Sequence, residues 1–227
     1  MSQPVLAQKD RQLLQKADSL FELGLPVQSY SHYRNLQRQN QLASTRQLLR
    51  MAYIQEQRGQ YPAALYYLSV LQHRRPSTAT WYKMTELAQA NRLEGYSASW
   101  QQAARVSVQR YYTYLLQAVL TVAVATGTVL LWRLLKRRPV ASGWWVAFGC
   151  FLLLAEGIVN LLGPEQVGLV CRPRAAIMSG PGAGATWLTV AAAGDRLAVE
   201  GTQDIWYKVR WRGRQAYIRQ RNLLVVE

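Results

Sequence analysis

Glu156 and Asn160 stand one helical turn apart in a run, residues 144–162, that carries no other charge. A carboxylate near the middle of a membrane span costs ~2.5–3.5 kcal/mol to insert, and such groups usually face protein. Three partners suit the pair: Thr121, Thr126 or Thr128 of the apolar run before it, another subunit's helix, or an ion or proton path. The internal clamp is the favoured one. Other groups that could do chemistry are sparse. His32 and His73 have no Cys or carboxylate grouping near them, and read as surface or packing histidines. Gly180-Pro-Gly182-Ala-Gly184 matches a phosphate loop only in glycine content, lacking the Lys-Ser/Thr and the helix that follows. No Ser-His-Asp or paired-carboxylate arrangement stands out, so catalysis, cofactor and metal are not expected. Near the C-terminus, Trp187, Trp206, Arg214 and Tyr217 form a candidate ligand surface of exposed aromatic and basic groups.

The elements that must position these groups begin with two apolar runs. Residues 114–132 hold no charge, and residues 144–162 hold only Glu156. At 1.5 Å per residue each makes a helix of roughly 28 Å, close to the ~30 Å hydrocarbon core of a bilayer. Tyr111, Tyr112, Tyr114, Trp132, Trp144 and Trp145 sit at their ends, as interfacial belts do. A transmembrane hairpin follows. Ala123-x-x-x-Gly127 offers a smooth surface for close helix contact.

Arg133, Lys136, Arg137 and Arg138 crowd the turn, which places it in the cytoplasm and both flanks outside, in the periplasm of a bacterial inner membrane. Export would need a signal. Val5-Leu6-Ala7 fits the residues before a signal-peptidase cut, which would make Met1 a late start; the alternative is a disordered N-terminus with nothing missing. The formal net charge is +15, spread along the chain rather than gathered on one face. Nucleic-acid binding is therefore not expected, and attraction to anionic lipid or acidic wall polymers is the simpler reading. Cys150 lies within the second run and Cys171 after it, so no disulfide framework follows.

Residues 10–112 are helical and repetitive. Gly24, Gly59 and Gly95 recur 35 and then 36 residues apart. In the middle unit Leu48, Met51 and Ala52 face inward on the first helix, Gly59 and Tyr61 make the turn, and Ala64 is small where the second helix crosses the first. Leu68 and Leu71 pack inward, and Pro76 ends the unit. This pattern resembles the tetratricopeptide repeat. The first unit departs with Ser29 at the small position, and the third with Trp100, whose helix is expected to run on into the membrane span.

The C-terminal segment alternates apolar and basic residues in Tyr207-Lys-Val209-Arg-Trp211-Arg212, with a hairpin turn at Gly213. Further strands are expected at 197–199, 215–218 and 222–226, five or six in all. Ser179-Gly180-Pro181, Gly194-Asp195-Arg196-Leu197 and Trp206-Tyr207-Lys208-Val209 resemble the bacterial SH3-like domain, with Tyr217 where that family usually has Trp.

The expected architecture is a multidomain membrane protein. A tail (1–9) precedes an all-α tetratricopeptide-repeat domain (10–112), a transmembrane helical hairpin (113–163) and a small all-β SH3-like barrel (167–227). That order resembles the BatE-type proteins of the aerotolerance (Bat) operons. The resemblance implies a noncatalytic membrane-anchored adaptor, with von Willebrand A-domain membrane proteins and a MoxR-type ATPase as partners. The alternative is an anchor that binds cell-wall peptidoglycan through the barrel.

Overall fold

The structure, a computed structural model, describes residues 3–39, 43–96, 100–137, 141–162, 165–182 and 184–226. Seven helices and seven strands run in the order α1 (Gln3–Glu22), α2 (Pro26–Gln39), α3 (Thr45–Gln57), α4 (Tyr61–Arg74), α5 (Thr78–Ala90), α6 (Trp100–Leu135), α7 (Ser142–Leu162), β1 (Val167–Val170), β2 (Ala175–Met178), β3 (Trp187–Ala191), β4 (Arg196–Gln203), β5 (Trp206–Trp211), β6 (Arg214–Arg219) and β7 (Leu223–Val226). They form two compact units. One joins residues 1–74, 80–97 and 166–227, and the other holds 75–79 and 98–165.

In the first unit α1 pairs with α2 and α3 with α4. The turn geometry explains why. After α1, Leu25 N–H donates to Leu20 O and Gly24 N–H to Phe21 O, with Gly24 at φ +74°. After α3, Gln60 donates to Gln55 O and Gly59 to Glu56 O, with Gly59 at φ +68°. Both are Schellman endings, which need a left-handed residue where glycine has no Cβ penalty. Pro26 then opens α2 at a position where its missing N–H is no loss. The third such ending is not at Gly95. After α5, Leu93 donates to Ala88 O and Arg92 to Gln89 O, and Arg92 takes the left-handed position at φ +55°. The structural period therefore shortens, and Gly95 is freed for another task.

Ala64 is fully buried, and Ser29 is equally buried while its hydroxyl donates to Ala17 O of α1 at 2.9 Å. Leu48, Met51, Ala52, Leu68 and Leu71 are buried, Tyr61 opens α4, and Pro76 precedes α5. Arg50 ties the helices together, meeting Asp18 at 2.6 Å and Glu22 at 3.0 Å while stacking over Phe21. Lys83 of α5 reaches Glu56 of α3 at 2.8 Å.

The strands form one antiparallel seven-stranded sheet in the order β3-β2-β6-β5-β4-β1-β7. Its core is Val170, Ala175, Ile177, Ala191, Leu197, Val199, Val209, Ala216, Ile218 and Leu223. The β5–β6 hairpin closes through Arg212 and Gly213, at φ +47° and +79°, with Trp211 opposite Arg214. Two left-handed residues at a two-residue turn match the strand twist.

The second unit is a helical hairpin. Its windows 111–135 and 142–160 are long and apolar enough to cross a membrane by length and composition, with mean hydropathy 1.9 and 1.6. The first window belongs to α6, which runs unbroken from Trp100 to Leu135. Ala123 and Leu130 of α6 and Ala155 of α7 are buried. A Cβ on Gly127 would lie 3.1 Å from the Phe148 ring, so the small-residue surface is where α7 approaches. Tyr111, Tyr114, Trp132, Trp144 and Trp145 are exposed toward the helix ends. Arg138, expected in the turn, and the Trp100 side chain lie outside the described residues.

Candidate functional site

The helices α1–α5 and the sheet, expected from the sequence to be separate domains, are joined by a latch at residues 93–96. Glu94 N–H donates to Asp195 Oδ1 at 2.8 Å, and Arg196 N–H returns a bond to Glu94 O at 3.0 Å. The buried Tyr96 hydroxyl donates to Gly194 O at 2.9 Å. Arg212 grips the Glu94 carboxylate through Nη2 and Nε, at 2.5 and 3.2 Å, and Arg196 stacks over Trp81. Gly95, at φ +90°, lies so close to the barrel that a Cβ would sit 2.0 Å from Arg196 O. Gly194, at φ +101°, faces the Leu93 side chain, whose Cδ1 would lie 2.8 Å from an added Cβ.

Asp195 is the buried polar centre of this latch, and its second oxygen accepts from Ala192 N–H at 2.7 Å. Burial pushes its carboxyl above the usual carboxylate range, while the two backbone N–H donors oppose that rise. A carboxyl raised on folding holds its proton better folded than unfolded. Its contribution to stability is thus complete below the ordinary carboxylate pKa and is lost as pH rises through the raised value. Thermal unfolding between pH 3 and 7 should show the wild type gaining on Asp195→Asn as the pH falls. A difference constant over that range would sink the assignment.

The expected ligand surface does not gather in one place. Trp187 is 61% exposed on the edge strand β3, and Arg214 is exposed at the start of β6. Tyr217 is buried, with its hydroxyl held by Gln215 Nε2 at 2.5 Å. Trp206, opposite Arg219 at the far end of β6 from Arg214, lines a cavity of about 710 Å³. Around it stand Arg172, Arg174, Arg219 and Arg221, four residues that the sequence reading passed over as candidates. Their only signal was the spacing Arg172-x-Arg174 and Arg219-x-Arg221. The fold brings the pairs together through the bond from Cys171 N–H to Asn222 O at 2.9 Å.

In the hairpin the expected clamp does not form. Thr121, Thr126 and Thr128 donate to the carbonyls of Gln117, Val122 and Val124 in their own helix. A hydroxyl already satisfied by its own backbone has no need of a cross-helix partner. Glu156 and Asn160 are exposed, and neither has a hydrogen bond among the described residues. His32 sits on α2 and His73 in the last turn of α4, far apart in the chain. Among the described residues no group of three His, Cys, Asp or Glu is placed to hold a metal.

The repeat face offers a different kind of surface. Leu49 and Tyr53 stand one turn apart on α3, and Tyr82 projects from α5. All three are exposed, Tyr53 by 51% and Tyr82 by 74%. Tyr67 is buried and bonded to the Tyr30 hydroxyl at 2.9 Å, and the half-buried Tyr66 ring meets it edge-on. Trp81 is buried as well. Comparison of the chain with protein-family models, curated proteins and solved structures finds no match.

Proposed function

We propose that this chain is a noncatalytic adaptor anchored in a membrane, which holds a protein partner against the uncovered face of α3 and α5. The observation that carries this reading is the exposure of Leu49, Tyr53 and Tyr82 on those helices, while α4 packs on β1 and β7. Aromatic side chains with an apolar body and a polar tip are the usual anchors of protein interfaces. The helix pairs with their Gly and Ala spacing support the reading as tetratricopeptide repeats, and the barrel as SH3-like. Glu156 adds a second support. An exposed carboxylate on an apolar helix suits a polar contact from another subunit's helix.

The partner class proposed is the von Willebrand A-domain membrane proteins of a Bat-type complex. In mild detergent, the full chain should co-purify with such a protein. Combining Tyr53→Ala with Tyr82→Ala should lower recovery of the partner by about tenfold, the loss of about 1.4 kcal/mol. Glu156→Leu should weaken it by a smaller factor without harming insertion. Recovery unchanged in all variants would refute the adaptor. The second reading, a wall anchor, is favoured by the exposed Trp187 on an edge strand. Full chain that sediments with insoluble cell wall, with no stoichiometric membrane partner, would put that reading first.

The latch bears on topology. Residues 93–96 and 194–212 belong to one compact unit, and both apolar helices lie between them in sequence. Two crossings return a chain to its starting side, so the unit supports placing both flanks on one face. The basic turn supports the outer one. Protease added to spheroplasts should reach tags at both termini and spare a tag inserted in the turn. Protection of one terminus alone would contradict the pairing, and cleavage only at the turn would invert the orientation.

A further inference from the structure

The basic residues within 166–226 are placed differently, with Arg196 over Trp81 and Arg214 exposed at the start of β6. Lys208 and Arg210 are paired with Glu200, and Arg212 with Glu94. Arg172, Arg174, Arg219 and Arg221 have no carboxylate partner among the described residues, and all four line the one cavity beside Trp206. No Asp or Glu lines that cavity. Like charges gathered without counter-charges repel, and a bound anion would relieve that repulsion. The backbone carries the same message. Arg174 is held at φ +60°, a conformation uncommon outside glycine, in the loop that turns it into the cavity. Arg219 stacks over Trp206 at 5.3 Å, which fixes the direction of its guanidinium.

The geometry points to a site for a phosphate-bearing anion, held by Arg172, Arg174, Arg219 and Arg221 around Trp206. Guanidinium groups present planar forks that match phosphate oxygens two at a time. A single carboxylate would engage one or two of the four, whereas a phosphate can be surrounded. The volume of about 710 Å³ suits a group larger than one phosphate, and lies in the range of small-ligand sites. The phosphate can come from a lipid headgroup or from a soluble molecule. A headgroup is close at hand in the chain, since Arg172 follows the end of α7 at Leu162 by ten residues.

Full-length protein in a neutral detergent, titrated calorimetrically with inorganic pyrophosphate, short-chain phosphatidylglycerol and short-chain phosphatidylcholine, tests the site. Saturable binding of pyrophosphate or phosphatidylglycerol, but not of phosphatidylcholine, is expected. Phosphatidylglycerol binding tighter than pyrophosphate identifies the headgroup as the source, and the reverse identifies a soluble phosphate. Arg174→Gly relieves the left-handed backbone while removing one charge, so it should fold well and still weaken binding about tenfold. Arg221→Ala should do the same. Arg214→Ala removes an equal charge from the same barrel outside the cavity, and should leave affinity within about twofold. The site is overturned if neither anion saturates, or if Arg214→Ala weakens binding as much as Arg174→Gly does.

Discussion

Gly95→Ala is expected to break the joint between the helices α1–α5 and the sheet. Two costs fall on one added methyl. The residue sits at φ +90°, which alanine adopts only with strain, and the new Cβ would lie 2.0 Å from Arg196 O. The obstructing atom is backbone, in the same residue whose N–H donates to Glu94 O, so it cannot move aside without losing that bond. Together the strain and the overlap should cost about 3 kcal/mol or more. For a unit of this size that lowers Tm by roughly 6–12 °C. Amides of residues 194–196 should lose hydrogen-exchange protection first. Gly24→Ala is the matched control, since Gly24 has a similar positive φ but no atom within 4 Å of an added Cβ. It should cost only about 1 kcal/mol. Equal losses in the two variants would show that the close approach at Gly95 adds nothing to the fold.

The same glycine marks how far the sequence could be read. Gly24 and Gly59 announce helix endings because their role is local: a helix must stop within reach of its own carbonyls. Gly95 sits at nearly the same spacing and so looks like a third member of the series. Its role is tertiary, set by Arg196 a hundred residues later, and periodicity carries no information about that. Arg92 takes the helix-ending position in its place, at a residue type no turn rule would select. The apolar helices were legible because a long uncharged run is a signal in itself. The side of α7 on which Glu156 sits was not, because rotation about a helix axis depends on the partner packed against it.

The barrel divides along similar lines. Apolar and basic residues alternate in β5 from Tyr207 to Trp211, and the chain turns at Arg212-Gly213 into β6, a pattern visible without a structure. Strands β1 and β2 are four residues long and read Val-Gly-Leu-Val and Ala-Ala-Ile-Met, too short and too uniformly apolar to show alternation. Trp187 and Tyr217 suggested a common surface by residue type alone. The register places Tyr217 opposite Lys208 and Met178 and buries it, while Trp187 remains at the open edge. The four cavity arginines come from the β1–β2 loop, the end of β6 and the turn that follows it, segments that the sequence pattern does not bring together.

Ala64→Arg carries the second large effect. Ala64 is fully buried on α4, which packs against α3, and Leu48 and Met51 of α3 and Leu65 and Leu68 of α4 are buried as well. A long cationic side chain there must either force the helices apart or leave its charge in an apolar crossing with no carboxylate partner, and each costs several kcal/mol. Ser29 holds the corresponding place between α1 and α2. Its hydroxyl is satisfied by Ala17 O, so a small polar group is tolerated there only because it finds that acceptor. Ser29→Ala should therefore cost about 1 kcal/mol, a small fraction of the Ala64→Arg loss. Circular dichroism of the full chain in detergent is the measurement. Ala64→Arg should remove the helical signal of α1 to α5 while α6 and α7, a separate compact unit, keep theirs. Because α4 also packs on β1 and β7, the barrel should lose its latch along with the repeats. A full helical signal and an unchanged melting curve would mean that α3 and α4 do not pack through Ala64.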